Sequence, residues 1–171
     1  MKTKIWITAL MICALLTVPV SLFAEEMLSA NDLDPAASLT GKMTEGIFTL
    51  NASPSKSMKI EIMDVEMPAE DGEIFNARIS TGGAGDAEAR SISFTTTKAA
   101  AVTVYTLSSS KTDTRTLAVR DGAGKTIAEL PSPPSPAGAE AKVAAFQVPG
   151  AGTYTITSKS GGVYIYAVIV K

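Results

Sequence analysis

The chain has no histidine, one cysteine (Cys13) and one tryptophan (Trp6) in 171 residues, with four tyrosines and five phenylalanines. Each shortage excludes something. Without histidine, the commonest general base, the usual catalytic triads and the usual zinc ligands are all missing. Cys13 and Trp6 both fall within residues 1–24. A chain cleaved after that segment has no thiol chemistry, no disulfide and no indole platform for a flat polysaccharide surface. Positive charge is also short. Loss of Lys2 and Lys4 leaves 13 basic residues against 17 acidic, a net charge of −4. That balance argues against nucleic acid as a partner, because phosphate binding needs a basic patch. No polybasic run suits an anionic membrane surface either.

Residues 1–24 have the layout of a signal peptide. Lys2 and Lys4 precede an apolar run over residues 5–20, and Ser21-Leu22-Phe23-Ala24 leads to Glu25. Cleavage is expected after Ala24, with Leu22 larger than the usual residue at that place. The competing reading, an uncleaved anchor, has only sixteen residues to span a bilayer. Cys13 is mid-run behind Ile12, which excludes a lipoprotein site. The expected product is exported, to periplasm, cell surface or medium, with no membrane span after cleavage. Its roughly 147 residues suffice for one domain held by core packing alone.

What remains reads as strands. Ile92 and Phe94 alternate with Ser91 and Ser93, and Leu117 and Val119 with Thr116, Ala118 and Arg120. Period-2 alternation broken by turn residues marks antiparallel strands with one buried face. Further strands are expected over residues 47–50, 58–63, 74–79, 101–107, 126–130, 143–148, 153–157 and 163–170. In the last, Val163, Ile165, Ala167 and Ile169 alternate with Tyr164, Tyr166, Val168 and Val170. Apolarity on both sides predicts a central strand covered on both faces. Residues 25–44 show no sustained period and read as a linker or a loosely docked N-terminal arm. Residues 66–72 read as a turn, and the proline-rich residues 131–141 as a surface loop. The fold class is all-β: one antiparallel β-sandwich over residues 45–171, with about nine or ten strands.

Three segments resemble a known family. Gly82-Gly83-Ala84-Gly85 is followed by Arg90-Ser91-Ile92-Ser93-Phe94. Val102-Thr103-Val104-Tyr105 is followed by Ser108-Ser109-Ser110, Arg115-Thr116-Leu117, then Asp121 and Gly124. Ala151-Gly152-Thr153-Tyr154 leads through residues 158–162 to Val163-Tyr164-Ile165-Tyr166. In this order they are similar to the jelly-roll-like, carbohydrate-binding-module-like β-sandwiches attached to secreted pectate lyases. The resemblance covers roughly residues 46–171. It implies an accessory domain that holds glycan or packs beside an enzyme. It carries over no site residue. Lyase activity is not implied, because the chain has no room for a parallel β-helix.

Arg90 and Arg115 stand at strand starts with the parity of core residues, Arg90 with Ile92 and Phe94, Arg115 with Leu117 and Val119. A guanidinium at such a position must be paired or lie at a rim. Two readings stay open: a bidentate grip on the carboxylates of an acidic sugar, or internal ion pairs with Asp113 or Asp121. Tyr105, Tyr164 and Tyr166 could stack on sugar rings or be plain core. The serines of residues 108–110 and 158–160 could serve as hydrogen-bonding loop tips or as simple turns. Asp64, Glu66, Glu70, Asp71 and Glu73 cluster within ten residues. They form either a solvated acidic turn or a calcium site, and no cofactor is otherwise expected. The leading expectation is a non-catalytic module for polysaccharide or oligosaccharide, uronate-rich in class. Its glycan-binding residues would be Arg90, Tyr105, Arg115, Tyr164 and Tyr166. The alternative is a structural or interaction domain for another exported protein. A glycan binder predicts exposed Tyr and Arg together, an interaction domain an exposed apolar patch or unpaired edge.

Overall fold

Alternation writes most of the strands, and a computed structural model describing residues 25–171 shows how they pair. The expected signal peptide lies outside the described residues. Thirteen strands run β1 Glu26–Ser29, β2 Ala36–Leu39, β3 Met43–Glu45, β4 Phe48–Asn51, β5 Met58–Pro68, β6 Ile74–Ser80, β7 Ser91–Thr96, β8 Ala100–Ser108, β9 Arg115–Arg120, β10 Thr126–Ser132, β11 Lys142–Val148, β12 Gly152–Ser158 and β13 Val163–Val170. All strand pairs between them are antiparallel. One sheet has the order β10-β9-β12-β7-β4-β3. The other has β11-β8-β13-β6-β5-β2, with β1 also against β13. The two inner faces close on one hydrophobic core. Among the described residues no helix is long and apolar enough to cross a membrane.

Local pattern and register agree in the six-stranded sheet. Phe94 is opposite Phe48 on one side and Tyr154 on the other. Their rings meet at centroid distances of 6.2 and 5.7 Å. Each such pair contributes about 0.5–1.5 kcal/mol beyond its buried area.

Residues 25–44 are not a linker or loose arm. They supply β1, β2 and β3, strands too short to show a period, and a single 3-10 turn at Ala30–Asp32. Leu28, Ala30 and Leu33 are buried. The polar Asn31 acts as a strand partner: its Oδ1 accepts from the backbone N–H of Asn76 at 2.9 Å and of Ala77 at 3.1 Å. These three strands raise the count above the nine or ten expected.

Two bulges overturn the expected faces. In β13, Ile165 is opposite Thr106 and Ala167 opposite Tyr105, so Tyr166 is an extra residue. Beyond it the parity flips. Val163, Ile165, Val168 and Val170 join the sandwich core, while Tyr166, Ala167 and Ile169 join a second cluster. In β5 the register shifts between Ile62 and Met67. Phe75 accordingly leaves Ala77 and Ile79 for the second cluster, where its ring lies 5.2 Å from Tyr105 and 5.5 Å from Tyr166.

A cover seals that cluster. The end of β5 meets the end of the proline-rich segment: Ala141 N–H donates to Pro68 O at 2.8 Å and Glu70 N–H to Ala141 O at 3.2 Å. Residues 66–68, expected in a turn, belong to β5, and Pro131 and Ser132 extend β10. The double-sided burial expected for β13 is thus observed, with its faces redistributed.

Tyr166 is fully buried and its hydroxyl, near the Arg78 guanidinium, makes no hydrogen bond of good geometry. Tyr166→Phe should be neutral or raise stability by up to about 1 kcal/mol in urea unfolding, since it removes a buried unsatisfied group. A loss beyond that would reveal a partner.

Burial pushes the Tyr166 hydroxyl up to about 12, against the opposing charge of Arg78. Burial, then a 2.7 Å bond donated to Asp71 Oδ2, raises Tyr105 further. Both folded values exceed the unfolded value of about 10. Their contribution is fully present below that pH and is lost as pH rises toward the folded values. In an alkaline titration, phenolate absorbance from these two rings should appear together with loss of native circular dichroism. Its appearance in the intact fold would contradict their burial.

Candidate functional site

Four turns meet at one end of the sandwich: residues 52–57, 81–90, 109–114 and 159–162. Gly85 N–H donates to Ser158 O at 3.1 Å, Ser109 N–H to Gly162 O at 3.1 Å, and Lys159 N–H to Thr116 O at 2.9 Å. Buried Thr81 ties them to β13, its Oγ1 accepting from Val163 N–H at 3.0 Å and donating to Gly83 O at 3.2 Å. Arg90 and Arg115 both lie here.

Arg90 does not open a strand, so its expected core parity does not apply. It sits at φ 55°, the single non-glycine positive φ among the described residues. That conformation costs on the order of 1–3 kcal/mol. The preceding turn enforces it. Asp86 Oδ1 accepts from Glu88 and Ala89 N–H, each at 2.9 Å, and its other oxygen pairs with Lys56. Those bonds, Lys56 first, hold the Asp86 carboxyl below its ordinary value. The Arg90 guanidinium lies on Gly83, where a Cβ would overlap Nη1. Its Nε donates to Ser57 O at 3.3 Å, and no carboxylate pairs with it among the described residues.

Arg115 begins β9 with its side chain 29% exposed, and one nitrogen stands 3.5 Å from Asp113. This is one of the two ion pairs considered above. Asp121, the other partner considered, instead caps its own turn by accepting from Ala123 and Lys125 N–H. The buried Nε of Arg115 has no acceptor. Its guanidinium rests on Gly161, where a Cβ would stand 2.6 Å from Cζ. A Cβ on Gly162 would stand 3.4 Å from Gly83 N, so the two arginines lie on one glycine seam. Flat on backbone, they keep planar N–H forks suited to carboxylates.

The tyrosines are not brought to this seam. Tyr105, Tyr164 and Tyr166 do share one side, the outer face of the seven-stranded sheet. Tyr105 and Tyr166, however, are buried under the cover and present no ring face to a sugar. Tyr164 is half-buried, with the Arg78 guanidinium 3.8 Å above its ring and Glu61 2.8 Å from Arg78 Nε. The serines act as turn residues: Ser109 Oγ donates to Gly162 O at 2.9 Å and Ser158 Oγ to Gly161 O at 2.8 Å. Within the acidic cluster, Glu70 binds Lys142 and the Val143 N–H, bonds that lower its pKa, and Asp71 binds Tyr105. Among the described residues no three potential metal ligands converge.

Sequence reasoning missed a depression of about 600 Å³ on the outer face of the six-stranded sheet. Thr153 and Thr155 line it with Arg120, residues 121–124 and Ala87. Arg120 donates to Thr157 Oγ1 at 3.1 Å. Its parity, opposite to Leu117 and Val119, was the available signal. Another depression, about 300 Å³, includes Thr95, Thr96, Lys98 and Lys171. Neither includes Arg90 or Arg115.

No protein-family model matches the chain, and no curated protein sequence does. Some solved structures are similar. The C-terminal CBM6 of LamC, a marine laminarinase from Zobellia galactanivorans, is 13% identical, with TM-score 0.40 over 86% of this chain and 99% of that one. The CBM36-1 domain of a multidomain xylanase from the hindgut metagenome of Trinervitermes trinervoides is 12% identical, with TM-score 0.41 over 86% and 97%. The CBM51-2 and INT domains of Clostridium perfringens ZmpB are 11% identical, with TM-score 0.46 over 85% of this chain and 32% of that one. Likeness at this level says nothing about ligand or activity.

The glycines make the seam testable. A Cβ at Gly85 would overlap the Arg90 carbonyl, whereas one at Gly83 meets only the movable guanidinium. Gly85→Ala should cost more than about 2 kcal/mol in urea unfolding, and Gly83→Ala less than about 1. Equal costs would mean that the seam does not depend on this backbone contact.

Proposed function

We propose that the protein is an exported, non-catalytic module that binds an acidic, uronate-rich glycan through the arginine seam. The observation that carries this reading is the Arg90 guanidinium, held on glycine backbone without a carboxylate partner, beside a partly exposed Arg115 whose one ion pair among the described residues is with Asp113 at 3.5 Å. A charge so placed is available to a ligand carboxylate, and the backbone has already met the cost of orienting it. Glycine would occupy φ 55° without strain. The side chain therefore gives Arg90 a role that conformation alone does not. The net negative charge of residues 25–171 makes this attraction local to the seam.

Asp113 competes with the ligand for Arg115. Binding should thus be charge-selective and weaken with salt.

Isothermal titration with a short oligogalacturonate and a neutral xylo-oligosaccharide tests the proposal. The acidic sugar should bind and the neutral one should not. Arg90→Gln and Arg115→Gln should each weaken binding about tenfold or more, a loss of about 1.4 kcal/mol, with little change in melting temperature. Asp113→Asn should tighten it. Equal binding of both sugars, or none by the folded protein, overturns the reading.

A further inference from the structure

Arg120 and Asp121 are neighbours of opposite charge that do not pair. Both line the depression of about 600 Å³ on the outer face of the six-stranded sheet, a volume in the range that holds a small molecule. Arg120 ends β9 opposite Thr155. Its side chain reaches β12, where Nη1 donates to Thr157 Oγ1 at 3.1 Å. Asp121 is held instead by its own turn, with Oδ1 accepting from Ala123 N–H at 3.0 Å and from Lys125 N–H at 2.9 Å. Neither side chain has an ion pair among the described residues, with the other or with any third group.

Each charge is thus oriented by neighbours and keeps capacity to bind. The guanidinium has N–H groups beyond the one given to Thr157, and the carboxylate has Oδ2. Both residues are half-buried, so both have lost hydration without a counter-charge in return. Elsewhere the chain compensates such groups, Arg78 with Glu61 and Lys142 with Glu70. A ligand carrying both complementary charges supplies the two missing partners at once. The rest of the lining narrows the class. Ala87 and residues 122–124 are small, leaving room but no ring to stack on a sugar and no deep apolar slot for a long side chain. Thr153 and Thr155 add hydroxyls. A peptide terminus brings only one of the two charges, and an acidic sugar brings only the carboxylate.

We infer that this depression binds a free α-amino acid with a short polar side chain. The ligand carboxylate takes the planar fork of Arg120. The ligand ammonium donates to Asp121 Oδ2, and the threonine hydroxyls meet the side chain. The site involves neither Arg90 nor Arg115 and is independent of glycan binding.

The test is an amide chemical-shift titration of the isotope-labelled folded protein with L-serine, glycerate and serinamide. Glycerate exchanges the ammonium for a hydroxyl, and serinamide exchanges the carboxylate for an amide. Millimolar serine should shift amides within residues 120–124 and 153–155. Glycerate and serinamide should each bind about tenfold or more weakly. Arg120→Gln should weaken serine by a similar factor. Asp121→Asn keeps an oxygen to accept from the Ala123 and Lys125 N–H groups, so the turn stays. It should weaken serine about tenfold and leave glycerate unchanged. Ala123→Trp fills the depression with both charges in place and should abolish serine binding, which guards against local rearrangement in the Arg120 variant. Absence of shifts with serine, shifts confined to other residues, glycerate or serinamide binding as tightly as serine, or unchanged serine binding by Asp121→Asn overturns the inference.

Discussion

Burial of β13 on both faces is the constraint on which the rest of the sandwich depends. The strand pairs with β8 along its length, with β6 at Tyr164 and Ile165, and with β1 at residues 167–170. One face enters the sandwich core and the other lies under a cover. An eight-residue apolar strand open on one side would expose a patch that a soluble monomer rarely carries. The cover made by β5, its following turn and residues 139–141 answers that requirement. It also explains why an acidic hairpin and a proline-rich segment, neither apolar by composition, pack where they do.

The arginine seam follows from the same strand. The turn over residues 159–162 delivers the chain into β13, and Thr81 anchors both the first residue of β13 and the Gly83 carbonyl. Glycine at residues 83, 161 and 162 lets backbone approach where a side chain would collide with Arg90, Arg115 or Ser109. The strain at Arg90 is small against the core beneath it, where truncating a fully buried ring such as Phe94 costs about 3–5 kcal/mol. A well-packed core can therefore hold a guanidinium in an unfavourable backbone conformation and leave its charge uncompensated.

The same packing withdraws one set of side chains from the surface and leaves another there. Covering the outer face of the seven-stranded sheet turns Tyr105 and Tyr166 into core and leaves Tyr164 stacked with Arg78. To reach the cover, β5 must outrun β2, and its surplus residues bulge out opposite Asn76.

Alternation within a strand is local, so the sequence by itself determined the all-β class, the β7, β9 and β12 pattern and the two-sided burial of β13. Arg90 and Arg115 were also legible as unusual, because a charge beside Ile92 or Leu117 conflicts with period-2 burial. Tertiary structure decided the rest. Parity survives only until a bulge, and the bulges at Tyr166 and opposite Asn76 depend on pairing with β8 and β6, which no local window contains. Residues 25–44 look irregular because strands of three or four residues complete less than two periods. Their burial comes from partners distant in the chain. Whether a tyrosine is core or surface depends on what is laid over it, and whether an arginine is free depends on which carboxylates the turns bring near. Both are questions of long-range packing, to which a local pattern of residues is blind.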